Sequence, residues 1–314
     1  MPRTPVTVIG GYLGAGKTTL VNHLLRQAQG VRLAIMVNDF GALPIDADLI
    51  TAREEDVISI AGGCVCCSFG SDLMAALMRL PARVPPPEHV LIETSGVALP
   101  GAVARSVRLL GDYALDGVIV LADAETVRAR AADRYMGDTI ERQLADADLI
   151  VLNKADLVAP AALAAARTWL ESRFARARVL SAVRAQLPAA IVLGAFAPVA
   201  HTGTQLLLAG KMRAPLAHDT AALYDSASFT PALALDVACL AQELAHPDFG
   251  LLRAKGLLRD RDGSIKSLHV VGARWEAVNY LAAEEQPGRL VCIGIKGGVD
   301  TAAIERAISR ATKS

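Results

Sequence analysis

The feature that most constrains the fold is the stretch at residues 11–18, which reads Gly-Tyr-Leu-Gly-Ala-Gly-Lys-Thr. It fits the pattern G-x-x-x-x-G-K-[ST], in which backbone N–H groups surround nucleotide phosphates. An apolar, β-branched run precedes it at 6–9, and residues 19–27 follow with helical spacing of Leu and Val. A strand, a glycine loop and a helix in this order are the context that the motif needs. The sequence therefore predicts a phosphate-binding α/β fold, with a chance glycine-rich turn as the alternative.

Two residues of this loop and two beyond it are predicted to act on the phosphates. Lys17 is expected to reach the outer phosphates and to take part in catalysis, and Thr18 to bind Mg²⁺. Another apolar strand, at 90–92, ends in Glu93, where a carboxylate would hold Mg²⁺ directly or through water. We therefore predict Glu93 as the second catalytic residue. Gly96 would let the backbone approach the terminal phosphate.

A third apolar strand, at 149–152, ends in an N-K-x-D sequence. Asp156 is suited to accept hydrogen bonds from N1–H and the 2-amino group of guanine, with Asn153 at the other edge of the base and the Lys154 stem along its ring. Adenine lacks the 2-amino group, so discrimination on the order of 10⁴ is available. Alone, the pattern is also compatible with a helix cap or a chance match, but downstream of a phosphate loop it predicts guanine binding. The residues predicted to bind GTP are Gly11, Gly14, Ala15, Gly16, Lys17, Thr18, Thr19, Gly96, Asn153, Lys154 and Asp156.

A cysteine motif, Gly-Gly-Cys-Val-Cys-Cys-Ser at 62–68, is the second chemical signal. Strand alternation would separate Cys64 and Cys66 from Cys67, but the flanking glycines allow a turn that brings the three sulfurs together. Three thiolates suit Zn²⁺ or Co²⁺, and three ligands leave a position open for a metal that must leave again. Redox chemistry of neighbouring thiols and burial as small apolar side chains are the alternatives.

Composition argues against several classes of partner. The 32 basic and 32 acidic residues cancel, so nothing indicates a general nucleic-acid or anionic-membrane partner. The longest apolar stretch, at 187–200, is interrupted by proline and glycine and is too short to span a bilayer. The N-terminus has no signal-peptide h-region, and closely spaced cysteines favour a reducing compartment. We therefore expect a cytoplasmic protein.

The 314 residues are enough for two domains. Strand and helix patterns alternate over 1–200, which predicts a parallel α/β sheet. The periodicity fades over 201–228, where we expect a linker, and clustered strands in 229–314 predict a smaller α+β domain. His89 is interpreted as a residue at a sheet edge. The elements expected in the second domain are strands near 233–237, 251–258, 265–271 and 290–295, a helix that follows the first of them and ends at His246, and a helix at 301–312.

Taken together, these motifs resemble the CobW-type family of GTP-dependent metallochaperones over nearly the whole chain. The cysteine triplet, between a predicted switch segment at 38–48 and Glu93, is the discriminating mark. The chain departs from the family where residues 38–42 read Asn-Asp-Phe-Gly-Ala rather than the common Asn-Glu-Phe-Gly-Glu, and where a His-rich insert is missing. The stretches that carry the resemblance are 10–20, 38–41, 62–67, 93–96, 141–156 and 252–257.

The resemblance implies a SIMIBI-like P-loop GTPase domain followed by the family's α+β C-terminal domain. It implies hydrolysis of GTP to GDP with Mg²⁺, and Zn²⁺ or Co²⁺ bound by Cys64, Cys66 and Cys67 beside the nucleotide. The metal would pass to a client protein, with no nucleic acid or membrane involved. A non-catalytic, nucleotide-gated metal buffer or sensor is the first alternative. The second is a phosphotransferase, for which no acceptor motif is found.

Overall fold

A computed structural model describes residues 3–27, 31–37, 57–59, 69–194, 223–280 and 288–313. The described residues form one parallel sheet in the first part of the chain and one antiparallel sheet in the second. The elements in chain order are β1 (Thr4–Gly11), α1 (Lys17–Gln27), β2 (Leu33–Val37), β3 (Val57–Ser59), α2 (Phe69–Arg79), β4 (His89–Glu93), α3 (Pro100–Arg108), β5 (Tyr113–Asp123), α4 (Val127–Ala131), α5 (Gly137–Ala145), β6 (Leu149–Asn153), α6 (Pro160–Arg173), β7 (Arg178–Ser181), α7 (Ala189–Val192), β8 (Tyr224–Phe229), α8 (Val237–Leu244), β9 (Leu251–Arg259), β10 (Ile265–Val271), β11 (Arg274–Asn279), β12 (Arg289–Ile295) and α9 (Thr301–Lys313).

The first sheet has seven parallel strands in the order β3-β2-β4-β1-β5-β6-β7. Its central strands are continuous apolar runs because both faces of the sheet are covered. The register pairs Ile9 with Glu93 and Asp123 with Asn153. The carboxyl ends of β1, β4, β5 and β6 therefore meet at one edge, which is where open α/β sheets bind ligands.

The two faces of this sheet are covered differently. Helices α2, α3, α5 and α6 pack on one face, with side chains such as Leu77, Val107 and Leu170. Helices α1 and α7 cover the other face together with residues of the second sheet, including Leu252 and Val271. The second sheet thus completes the core of the first.

The second sheet has five antiparallel strands in the order β11-β10-β9-β12-β8. Alternation along β9 turns Arg253 and Lys255 toward the seven-stranded sheet and Ala254 toward a core built with α8 and α9. Asp236 caps α8 by accepting a hydrogen bond from the Cys239 N–H at 2.8 Å. In the described part of the chain, the helices are too short or too polar to cross a membrane.

The structure corrects three expectations outside the nucleotide site. No strand forms at 233–237, because Asp236 starts a helix there and the residue before it makes only an isolated bridge. Strand β8 begins within the predicted linker 201–228, and β11 was not expected. His89 is not at a sheet edge, since β4 lies between β2 and β1 and only 4% of His89 is exposed.

Candidate functional site: the nucleotide-binding edge of the parallel sheet

The phosphate loop connects β1 to α1 and has the backbone that its glycines predict. Gly11, Gly14 and Gly16 have φ angles of 134°, 75° and 104°, a region that side chains with a Cβ rarely adopt. The Ala15 N–H donates to the Tyr12 carbonyl at 3.2 Å and closes the turn. Lys17 begins α1, and its Nζ donates to the Tyr12 carbonyl at 3.4 Å. The loop is therefore preformed, with the helix N-terminus directly behind it.

Asn153 fixes this loop to the base-side part of the site. Its Nδ2 donates to the Ala15 carbonyl at 2.8 Å, and its Oδ1 accepts from the Ala185 N–H at 2.7 Å. A Cβ on Gly16 would overlap Asn153 Nδ2, so this glycine is required by contact as well as by conformation. In this structure the Asn153 amide joins two loops of the protein. Its predicted contact with the base stays a prediction.

The other two residues of the N-K-x-D sequence lie on the same turn. Lys154 has a left-handed backbone, with φ 61°, and its Nζ pairs with Asp123 Oδ2 at 2.6 Å. Asp156 lies in a short 3₁₀ turn held by the hydrogen bond from the Ala155 N–H to the Ala182 carbonyl, at 3.1 Å. Its carboxylate is exposed and has no partner among the described residues. The geometry presents a free acceptor where a base would lie.

The predicted magnesium ligands are in direct contact. Thr18 Oγ1 donates to Glu93 Oε1 at 2.8 Å, although the two residues are 75 apart in sequence. Glu93 is only 1% exposed at the end of β4. The hydroxyls of Thr94 and Ser95 are also buried and have no hydrogen-bond partner within the described ranges. Oxygen donors from two elements therefore converge beside the phosphate loop.

Gln143 is a site residue to which the sequence reading gave no role. Its Nε2 donates to the carbonyls of Gly96 and Ala98, at 3.0 and 2.8 Å, and the side chain is buried. It thereby holds the segment after Glu93. Gly96 itself packs against Leu13, whose backbone N would lie 2.9 Å from an added Cβ. The only signal for Gln143 was its position in the stretch at 141–156.

Arg130, on α4, supports the phosphate loop from outside. Its guanidinium donates to the Leu13 carbonyl at 3.0 Å and lies 5.3 Å from the centroid of the Tyr12 ring. Such stacking contributes about 0.5–1 kcal/mol at exposed sites. Nothing in the spacing of the sequence indicates this contact, because the two residues are more than a hundred positions apart.

The predicted transition-metal ligands cannot be placed in the same way. Cys64, Cys66 and Cys67 and the switch segment 38–48 lie outside the described residues. Within the described ranges no group of three or more His, Cys, Asp or Glu side chains could hold a metal ion. Of the other two cysteines, Cys292 is buried and Cys239 is exposed on α8.

Comparison with known proteins places this site among nucleotide-binding domains. Residues 5–181 match the family model described as the CobW/HypB/UreG nucleotide-binding domain. The zinc chaperone CobW of Sinorhizobium sp. is 31% identical over 98% of this chain and 97% of its own length. The zinc chaperone YjiA of Escherichia coli is 36% identical over 50% of this chain and 51% of its own. The crystal structure of Zn(II)-bound YjiA GTPase from E. coli covers 99% of both chains at 23% identity, with a TM-score of 0.42.

Proposed function

The chain belongs to the CobW/HypB/UreG family of P-loop GTPases, and from this premise we propose that it is a GTP-hydrolysing metallochaperone. It converts GTP and water to GDP and phosphate, and its nucleotide state controls a transition-metal site formed by Cys64, Cys66 and Cys67. The metal is the cargo, and a client protein receives it.

The observation that carries the proposal is the 2.8 Å contact between Thr18 and Glu93. A hydroxyl and a buried carboxylate are the oxygen donors that Mg²⁺ prefers beside phosphates, so the residues present fit this ion. Thr18 would bind Mg²⁺ directly and Glu93 directly or through water. When bound, Mg²⁺ neutralises charge on the transferred phosphoryl group.

The chain's own residues would bind and orient the nucleotide. The N–H groups of residues 14–18 would donate to the phosphates, and the Lys17 ammonium would move from the Tyr12 carbonyl to the outer phosphates. Asp156 would accept from the guanine edge, while Asn153 keeps the base-side turn in register with the phosphate loop. Gln143 would hold the Gly96 backbone close to the terminal phosphate.

The cargo is proposed to be zinc, with cobalt as the metal of similar geometry. Several relatives carry zinc in their names, including the zinc-regulated GTPase metalloprotein activator 1 of Schizosaccharomyces pombe, 31% identical over 52% of this chain and 42% of its own. Three thiolates suit either ion. Because thiolates bind these metals only when deprotonated, affinity should fall as the pH drops.

We also propose how the chain is divided into domains and where the protein is located. We propose a GTPase domain at 1–200 and a C-terminal α+β domain whose first strand, β8, begins at Tyr224. The connecting segment is then shorter than the predicted 201–228. The closely spaced cysteines support a reducing compartment, for which we propose the cytoplasm.

The deciding experiment is the Zn²⁺ affinity of the apo, GDP-bound and GTP-bound protein. We expect GTP to change it by about 5–150-fold, and by linkage Zn²⁺ must change GTP affinity by the same factor. Replacing Cys64, Cys66 and Cys67 together with serine should abolish both effects but leave GTP binding largely intact. Cys239→Ser, at an exposed cysteine far along the chain, is the matched control. Equal Zn²⁺ affinity in all three nucleotide states would refute the coupling.

GTP turnover separates the chaperone from a non-catalytic metal buffer or sensor. Phosphate release from GTP should be measurable in the intact protein. Lys17→Ala should abolish both this release and the binding of the nucleotide phosphates without unfolding the chain. A folded protein that binds GTP and Zn²⁺ with full coupling, yet never releases phosphate, would favour the buffer.

A further inference from the structure

A polar cavity lies at the opposite edge of the seven-stranded sheet from the phosphate loop. It has a volume of about 200 Å³ and is bounded by α3, the segment between α5 and β6, the segment before β7, and the turn between β10 and β11. It therefore opens at the seam between the two sheets. Its charged lining residues are Arg105, Arg108, Asp146, Asp148, Arg176 and Arg274.

The two carboxylates of this cavity already accept hydrogen bonds from other groups of the protein. Asp146 Oδ2 accepts from the Gly101 N–H at 2.9 Å. Asp148 Oδ2 accepts from the Val118 N–H at 2.9 Å and from Arg274 Nε at 3.0 Å. Arg274 is used as well, because it also donates to two carbonyls of β5 at 3.2 and 2.7 Å. These contacts build the walls of the cavity and hold the second sheet to the first.

Three arginines remain without such partners. Arg105 and Arg108 are three residues apart on α3 and so lie on one helix face, and Arg176 approaches from the segment before β7. Within the described ranges none of the three side chains has a hydrogen bond or an ion pair. Their planar guanidinium groups match phosphate and carboxylate oxygens in pairs. The cavity therefore has more positive charge than its own carboxylates balance.

We propose that this cavity binds a small anion that carries phosphate groups, held by Arg105, Arg108 and Arg176. The size favours a small molecule over a macromolecular surface, because a volume of about 200 Å³ has room for only on the order of ten water molecules. The cavity opens to solvent, and the side chains of Arg105, Arg108 and Arg176 are exposed.

The test uses pyrophosphate as the probe and the full chain loaded with GDP, so that the phosphate loop is occupied. Calorimetry should detect binding to the intact protein, and Arg105→Gln, Arg108→Gln and Arg176→Gln together should weaken it at least tenfold. The matched control replaces Arg26, Arg79 and Arg289 with glutamine; it removes the same charge from exposed arginines outside the cavity. Citrate in place of pyrophosphate asks whether carboxylates serve as well.

Each outcome decides the proposal. Pyrophosphate binding that the cavity variant loses and the control variant keeps supports it, and weaker binding of citrate supports its restriction to phosphate. Equal losses of pyrophosphate affinity in the two variants would mean that the anion is attracted only by the overall charge of the protein, and would overturn the proposal. Absence of pyrophosphate binding to the folded, GDP-loaded protein, or tighter binding of citrate, would overturn it. None of these outcomes bears on GTP hydrolysis or on the cysteines, so the proposed function is tested separately.

Discussion

Two regions of this chain use polar side chains in opposite ways. At the nucleotide-binding edge, Asn153 and Gln143 hold backbone carbonyls, and Asp156 is left exposed. Between the two sheets lies a buried charge cluster of Asp116, Arg253 and Lys255, in which the carboxylate forms an ion pair with each of the two cations. The first region keeps polar groups ready for a ligand, and the second uses them to join two parts of the protein.

The buried charge cluster is enclosed on all sides. Asp116, on β5, has a fully buried side chain that pairs with Arg253 and with Lys255 Nζ, the latter at 2.6 Å. Arg253 also donates to the carbonyls of Ile191 and Val192 at 2.7 and 3.1 Å. Strand β9 of the second sheet thereby contacts both β5 and α7 of the GTPase part. This gives a physical role to Arg253 and Lys255 in the stretch at 252–257.

Burial and neighbouring charges shift the pKa values of the side chains in the buried charge cluster. Burial alone would raise the pKa of the Asp116 carboxyl. The positive charges of Arg253 and Lys255 beside it lower this pKa by more than burial raises it, so the pKa lies well below its usual range. Burial lowers the pKa of Lys255 to about 8 despite its carboxylate partner. The attraction within such a cluster is largely offset by the cost of removing its charges from water, whereas removing one member leaves buried charge uncompensated.

The largest expected effect is on the choice of base. Asp156→Ala should remove a preference for GTP over ATP of up to about 10⁴-fold, equivalent to about 5.5 kcal/mol, because no carboxylate remains for the 2-amino group. Competition binding of GTP and ATP measures it, with Asp138→Ala, at another exposed acid, as the control. Equal binding of the two nucleotides to the unmodified protein would exclude guanine recognition.

The next effect is on stability at the buried charge cluster. Asp116→Ala should lower the free energy of unfolding by about 3–5 kcal/mol, because two cations lose their counter-charge inside the protein. Asp138→Ala removes an acid from an exposed pair with Arg142 and should cost no more than about 1 kcal/mol. Denaturant unfolding of both variants checks the difference, with Asp116→Asn as the variant that keeps the shape. Similar losses for Asp116→Ala and Asp138→Ala would contradict the contrast.

The two regions also differ in how much of them could be predicted. The nucleotide-binding edge follows from local patterns, because β1, β4 and β6 are mostly apolar strands that end in Gly11, Glu93 and Asn153. Glu93 and Thr18, each singled out by its own motif, lie in hydrogen-bond contact, and Gly11, Gly14 and Gly16 have the backbone that the motif requires. Their predicted roles toward Mg²⁺ and the phosphates stay predictions.

The buried charge cluster could not be predicted, because its members come from different strands with no motif to link them. His89 looked like an edge residue, since nothing local shows that β4 lies in the middle of the sheet. Strand β11 has half-exposed, mixed side chains, so it lacks an apolar signal. Gln143 and Arg130 act across long sequence separations for the same reason.

A smaller effect is expected where the nucleotide site uses its own internal hydrogen bonds. Asn153→Ala leaves the Ala15 carbonyl and the Ala185 N–H without their partner, at a cost of about 1–3 kcal/mol for each buried group. We expect the equivalent of one of these two costs to appear in nucleotide binding, so that GTP affinity falls about 5–150-fold. Calorimetric GTP binding measures it, and Asn153→Asp separates lost anchoring from lost side-chain volume, since it keeps the acceptor but not the donor. Unchanged affinity in a folded Asn153→Ala protein would show that the anchor is dispensable.

The smallest expected effect, counted per pH unit, is the loss of folding stability in acid that the buried His89 causes. Burial lowers its pKa to about 3; Asp116 opposes this shift, and Lys255 and Arg253 add to it. Folded His89 therefore stays neutral while the unfolded chain takes up a proton below pH about 6.5, so its contribution is fully present above that pH and is lost as the pH falls toward 3. The loss is at most about 1.4 kcal/mol per pH unit. His89→Gln, which keeps a polar group beside the Thr7 hydroxyl that lies 2.9 Å from His89 Nε2, should flatten this slope. Urea unfolding of both proteins at pH 7.5, 6.5 and 5.5 isolates the histidine, because every other titrating group is shared, and identical slopes would mean that His89 is not held neutral.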